Sequence, residues 1–222
     1  MLLKYYTNGT PSPVLLKQLS QSLQADKLLI IPTDTAYSIC CNALSISALG
    51  QLAEIKGVDP EQSHFTIMCQ DLSQASEYAK LDNEMFRMMK QNTPGPFTFI
   101  LPTSSALPRI YKGRKEVGIR IPRHELVLSL IRYSGSPLTG FSLPELPQQL
   151  EDIAYDFNPE LINELWGDKV EHVVDGGIGS LQESAIIDCT TEPYSIVREG
   201  PEELKLKDIS ARSTRGGENK II

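Results

Sequence analysis

The chain has 222 residues, 41% of them hydrophobic and 22% charged, with a formal net charge of −7 and a pI near 5.1. That balance fits one soluble, core-forming domain. It excludes a membrane-spanning helix, because no apolar run approaches the roughly 20 residues required, and it excludes capture of nucleic acid by bulk positive charge. The opening residues lack the apolar core of a secretory signal. Cys40, Cys41, Cys69 and Cys189 form no C-x-x-C pair or metal-ligand rhythm. The expected setting is therefore the cytoplasm, with Cys40 and Cys41 as reduced, buried small hydrophobes.

In chain order, the periodicity predicts an amphipathic helix over 13–24, with Val14, Leu15, Leu16, Leu19 and Leu23 apolar, then a buried strand over 28–32. Past Pro32, the residues Thr33, Asp34, Thr35 and Tyr37 set three hydroxyls and a carboxylate beyond the strand's C-terminal end. Small ligands bind there in open α/β sheets, although the same residues suit an Asx-type turn with a satisfied tyrosine. Residues 45–56 read as a helix capped by Ser45 or Ser47 and stopped by Gly57 and Pro60. Strands follow at 65–69, 97–101 and 117–121, with helices at 72–78 and 83–91 between them. In 117–121, Val117, Ile119 and Ile121 alternate with Gly118 and Arg120.

A helix over 125–133 feeds a strand at 137–139. Pro144 and Pro147 then break the chain before polar helices near 148–154 and 159–165, and strands at 170–174, 185–188 and 195–197 complete the pattern. Asp175-Gly176-Gly177 fits a tight reversal with positive φ. So many short strands imply a mixed sheet rather than a purely parallel one.

Between 109 and 123 the cations Arg109, Lys112, Arg114, Lys115, Arg120 and Arg123 face only Glu116 in sequence. Such an excess suits a nucleotide or RNA backbone, or simply a solvated face. The phosphate signatures G-x-x-x-x-G-K-[ST] and G-x-G-x-x-G after a strand are absent, and Gly176-Gly177-Ile178-Gly179 reads as turn chemistry. His64, His124 and His172 match no zinc spacing.

The order Ile31-Pro32-Thr33-Asp34-Thr35-Ala36-Tyr37, Lys56, Thr93-Pro94-Gly95-Pro96-Phe97-Thr98 and Gly118-Ile119-Arg120-Ile121-Pro122 resembles the YrdC/YciO family. Asp175-Gly176-Gly177, Ser184-Ala185-Ile186-Ile187-Asp188 and Ile196-Val197-Arg198-Glu199-Gly200 continue the resemblance. It implies an α/β domain over 14–204, a YrdC-like twisted mixed sheet with flanking helices and a large charged cavity, followed by a mobile polar tail over 205–222.

The resemblance also implies an activity: joining L-threonine, bicarbonate and ATP into threonylcarbamoyl-adenylate and pyrophosphate, the first step of a tRNA modification. ATP, with Mg2+, is then a substrate, and no tightly bound cofactor is expected. Such chemistry needs positioning and charge neutralisation more than a side-chain nucleophile. Some members of the family are described as binding double-stranded RNA or tRNA. No membrane partner, metal ligand or catalytic side chain is assigned.

Carried over by position, Thr35, Arg120, Gly140 and Ser184 would meet the amino-acid substrate, and Lys56, Ser63, Ser142 and Arg198 the nucleotide. Arg109, Lys112, Arg114 and Lys115 are the RNA candidates. Lys56, the first cation of the family's K-x-R motif, equally suits a snorkelling residue at a helix end. Arg120 fits a bidentate carboxylate clamp or an outward-facing strand residue.

Four departures stand out. Val58 replaces the arginine of K-x-R, Pro144 replaces the asparagine of the S-A-N segment, Ala185 follows Ser184 in place of threonine, and Met68 falls where a histidine is common. These departures, with His64-Phe65-Thr66-Ile67-Met68-Cys69 and Asn92-Thr93-Pro94-Gly95, resemble the YciO-like branch, which lacks parts of the nucleotide motif. Each lost charge-assisted contact removes ~1.5–3 kcal/mol, so ATP would bind ~2 orders of magnitude more weakly. A nucleotide- and RNA-binding protein with weak or no synthase activity is the alternative.

Overall fold

Helix α1 (Pro13–Gln24) begins where Ser12 accepts the Leu15 N–H at 3.2 Å and Pro13 presets the first helical φ. The same economy starts α2 (Ile46–Lys56), where Ser45 accepts from Ala48 at 3.1 Å and Gly57 closes the helix at φ 72°. Of the two serines that the sequence offers, Ser45 is the cap. Asp71, Asp82 and Asn158 cap α3 (Leu72–Tyr78), α4 (Asn83–Asn92) and α6 (Pro159–Trp166) in turn, while α5 (Glu125–Ser134) follows His124 with no side-chain cap. This computed structural model describes residues 1–5, 9–60, 63–105, 107, 111, 113–144 and 158–206. The helix expected near 148–154 lies outside them.

Ten strands form one sheet among the described residues. They are β1 (Leu2–Lys4), β2 (Leu29–Ile31), β3 (Ser38–Asn42), β4 (Thr66–Met68), β5 (Phe97–Pro102), β6 (Glu116–Arg120), β7 (Leu138–Ser142), β8 (His172–Asp175), β9 (Ala185–Asp188) and β10 (Ser195–Arg198). The order is β1-β8-β2-β3-β7-β4-β6-β5-β9-β10, with parallel and antiparallel neighbours. The mixed sheet is thus as expected from its short strands.

Strands β1 and β3 are additions to the sequence reading, and β7 runs on to Ser142 rather than ending at 139. In β3 the first four residues are all buried, so no two-residue alternation marks it. A strand covered on both faces loses that signal.

The pleat sorts the core. Leu29, Ile31, Cys40, Met68 and Leu138 face α1 and α5, packing on Leu19, Leu23, Val127 and Leu130. Ile30, Ile39, Cys41, Ile67, Phe97, Phe99 and Ile119 face the other way, with Leu49, Leu52, Met88 and Ile162. Cys40, Cys41 and Cys69 are free and buried. Past β10, Asn92 accepts from the Lys205 N–H at 2.8 Å and donates to its carbonyl at 2.9 Å, while Leu204 and Leu206 pack on the core. The rest of the expected tail, 207–222, lies outside the described residues. Among the described residues no helix is long and apolar enough to cross a membrane.

Candidate functional site

On the face that carries α1 and α5, the strands beyond those helices present small or polar residues. Thr66 lies opposite Gly140, Arg120 opposite both Met68 and Thr98, Gly118 opposite Ile100, and Thr98 opposite Ile186. Directly opposed residues share a face, so this row leaves the sheet uncovered and floors two adjoining cavities. The first, of about 380 Å3, is bordered by Lys56, Arg120, Glu183 and Arg198. The second, of about 450 Å3, shares His64, Thr66, Thr98 and Ile186 with it and ends at Glu116 and Asp188.

Arg120 stands on the floor of the first cavity. Its Nη2 donates to Asp34 Oδ1 at 2.6 Å and to Thr35 Oγ1 at 2.9 Å. The two side chains of this ion pair are only 8% and 9% exposed, and the buried Nε of Arg120 has no partner. Asp34 Oδ2 also accepts the Arg123 N–H at 2.9 Å, and Thr33 braces the turn by accepting the Thr35 N–H at 3.0 Å. Burial pulls the Arg120 pKa down, Asp34 pushes it back, and nearby Arg198 adds to the lowering. The guanidinium stays charged, as arginine does in proteins. Arg120 is therefore buried on the cavity face, not turned out to solvent.

Across the floor, Thr98 Oγ1 and Ser184 Oγ lie 2.9 Å apart. Arg198 donates through Nε and Nη2 to the Ser184 carbonyl at 3.0 and 2.9 Å, and through Nη1 to Glu183. Lys56, at the last turn of α2, sets Nζ 5.3 Å from the Phe65 ring centroid and 5.5 Å from that of Phe141, two rings stacked at 5.9 Å. Desolvation by the surrounding protein lowers the Lys56 pKa, and the Glu183 carboxylate opposes that shift.

The fold thus gathers Lys56, Arg120, Gly140, Ser142, Ser184 and Arg198 around one cavity, with Thr35 bonded to Arg120. Ser63 is buried apart from the lining, its hydroxyl donating to the Pro60 carbonyl at 2.9 Å. Of the RNA candidates, Arg109 and Lys112 lie outside the described residues. Arg114 donates to the Pro60 carbonyl at 3.0 Å and lies 5.0 Å from the Tyr111 ring, whereas Lys115 is exposed. Met68 lines the first cavity, and Val58 is exposed past the end of α2.

Thr98, Phe141 and Glu183 were not among the substrate and nucleotide candidates, and Asp34 was expected only as the carboxylate beyond the first buried strand. A signal for Glu183 existed: it is the acid immediately before Ser184. Tyr37 is satisfied elsewhere, donating to the Gly177 carbonyl at 2.7 Å and accepting from the Gly176 N–H at 3.0 Å, and burial raises its pKa to about 12. Gly177 has φ 87°, the positive value anticipated for that turn. Among the described residues no cluster of three or more His, Cys, Asp or Glu could hold a metal.

A family model named Sua5_yciO_yrdC, described as "Telomere recombination", matches residues 21–200. The chain is 33% identical over 198 residues to an uncharacterized protein of Haemophilus influenzae, covering 88% of this chain and 94% of that one. It is 30% identical over 203 residues to YciO of Escherichia coli, covering 90% and 96%. The crystal structure of E. coli YciO superposes with a TM-score of 0.80 over 92% of this chain and 98% of that one. A threonylcarbamoyl-AMP synthase of Pyrococcus abyssi is 32% identical over 185 residues, covering 80% of this chain and 52% of the synthase, so the chain spans about half of its length. The structure of P. abyssi Sua5 complexed with L-threonine superposes at a TM-score of 0.74 with 28% identity, over 90% of this chain and 57% of that one.

Proposed function

The chain belongs to the Sua5/YciO/YrdC family, and from that premise we propose that its paired cavities bind ATP and L-threonine and form threonylcarbamoyl-adenylate. The observation that carries this reading is Arg120, buried with an unpartnered Nε on the floor of a cavity also bordered by Lys56 and Arg198. Asp34 holds only Nη2 of this guanidinium, and a desolvated guanidinium with N–H groups left over is suited to a second carboxylate, which is what an amino-acid substrate brings. Ser184 and Thr98 offer hydroxyls beside it.

In the proposed reaction the amine of threonine attacks the carbon of bicarbonate and water is lost. A carbamate oxygen then attacks the α-phosphorus of ATP, and the bond to the bridging oxygen breaks to release pyrophosphate. Bicarbonate, the carbamate and the phosphates of ATP are all anionic at their reacting ends, while the attacking amine is neutral. Lys56, Arg120 and Arg198 would offset that charge in a partly desolvated site. The nucleoside would extend over Thr66, Thr98 and Gly118 into the second cavity, and Mg2+ would enter with the phosphates. Both cavities have volumes typical of small-ligand sites.

A second reading, nucleotide or RNA binding with little or no synthesis, draws support from Val58 and from Lys56. Val58 supplies no charge beyond α2, and the Lys56 ammonium lies over two rings. The exposed Lys115 would serve an RNA contact. Pyrophosphate release from ATP by the purified protein separates the readings. Release that requires both L-threonine and bicarbonate is expected of the synthase; ATP binding without release would favour the binding protein.

A further inference from the structure

We propose that Glu183 is the charge selector of the first cavity: its carboxylate holds the place on Arg198 that an anionic group of the ligand takes, and binding exchanges one for the other. The proposal rests on the nucleotide reading of the same cavity. Each guanidinium there already has an internal carboxylate, Asp34 on Arg120 and Glu183 on Arg198. The two pairs differ in burial. Asp34 and Arg120 are 9% and 8% exposed, whereas Glu183 and Arg198 are 47% and 36% exposed. A buried pair is costly to break, while an exposed pair is weakly held. The Arg198 pair is therefore the exchangeable one.

The anchoring of Arg198 makes the exchange orderly. Two of its nitrogens, Nε and Nη2, donate to the Ser184 carbonyl, and only Nη1 serves Glu183. The guanidinium thus keeps its place when the carboxylate leaves, and Nη1 faces the incoming anion. Glu183 lies in the exposed segment between β8 and β9, where the Gln182 carbonyl accepts the Ala36 N–H at 3.1 Å. Its side chain can swing out without breaking that bond. Glu183 also acts on Lys56, whose pKa it raises against burial, so one carboxylate answers two of the cavity's cations. A ligand with two or more negative charges replaces both interactions, and a neutral one replaces neither. The selected class is therefore the polyanion: pyrophosphate or a nucleoside polyphosphate.

Calorimetric titration of the wild type, Glu183→Gln and Glu183→Asp with inorganic pyrophosphate, and separately with ATP, tests the exchange. Glu183→Gln is expected to bind pyrophosphate about fivefold more tightly, equivalent to about 1 kcal/mol at ~1.4 kcal/mol per tenfold, with the gain shrinking as salt is raised. Glu183→Asp, which keeps the charge, should stay near the wild type. If the wild type binds ATP and Glu183→Gln binds both anions no better, Glu183 is not a competitor, while the nucleotide reading stands. If no protein binds either anion, both readings fail. Tighter pyrophosphate binding by Glu183→Gln, with no pyrophosphate release from ATP by the wild type in the presence of L-threonine and bicarbonate, supports the exchange and removes the synthase.

Discussion

Asp34 and Arg120 are 86 residues apart in sequence and 2.6 Å apart in space. With both side chains out of water, removing one partner strands the other's charge, at a typical cost of about 3–5 kcal/mol. Asp34→Ala should lose about that much stability in urea unfolding. The double variant Asp34→Leu/Arg120→Met should lose much less, because no charge is left buried. An Asp34→Ala midpoint equal to the wild type would mean the pair is hydrated in solution. The residue types at this pair were visible in the sequence, where Arg120 stood out as the cation in an apolar alternation. Its partner was not, because nothing in the local pattern of Thr33-Asp34-Thr35 points to a strand so far along the chain.

Strands β6 and β7 use glycine in two different ways. A Cβ at Gly140 would lie 2.2 Å from the Ile39 carbonyl oxygen and 3.0 Å from Cys40 Cα, both backbone atoms of β3. Gly140→Ala must therefore push β3 and β7 apart, and a loss of about 3 kcal/mol in thermal unfolding is expected. At Gly118 the nearest atoms would be the side-chain Thr66 Oγ1 at 3.2 Å and Thr98 Cγ2 at 3.4 Å. Gly118→Ala should keep the wild-type melting temperature within a few degrees while weakening ATP binding, because the new methyl fills the floor of the second cavity. Unchanged ATP affinity in a folded Gly118→Ala protein would move the nucleoside elsewhere. The alternation that made β6 legible, and the single polar break in apolar β5, also mark this floor, since Thr98, Gly118 and Arg120 are the positions that interrupt the apolar residues. Strand β3 was illegible for the opposite reason: burial on both faces leaves no alternation to read.

Across the fold as a whole, one half-buried and one buried histidine, His124 and His172, give stability a pH slope. Burial lowers the pKa of His124, opposed by Asp34 and Glu125. It also lowers that of His172, where the terminal amino group adds to the effect and Glu171 opposes it. A histidine depressed on folding binds its proton more readily in the unfolded chain, so stability falls as pH drops below the ordinary value of about 6.5. Above that value both states are neutral and the slope vanishes. Urea midpoints at pH 7.5 and 5.5 should show the loss, and His124→Gln should reduce it. A midpoint insensitive to pH over that range would show that both rings are as easily protonated in the fold as out of it.

The six helices of the described residues, most strands, the mixed character of the sheet and the family were legible in the chain alone, because caps, apolar periodicity and short motifs are local properties. The sequence also singled out most of the cavity's cations by residue type. What those cations do at rest came from the assembled fold: Arg120 held by Asp34, Arg198 by Glu183 and the Ser184 carbonyl, and Lys56 above Phe65 and Phe141. The reason is physical. Which charges meet depends on strand order and register, and these follow from burying both faces of the sheet at once rather than from any single segment.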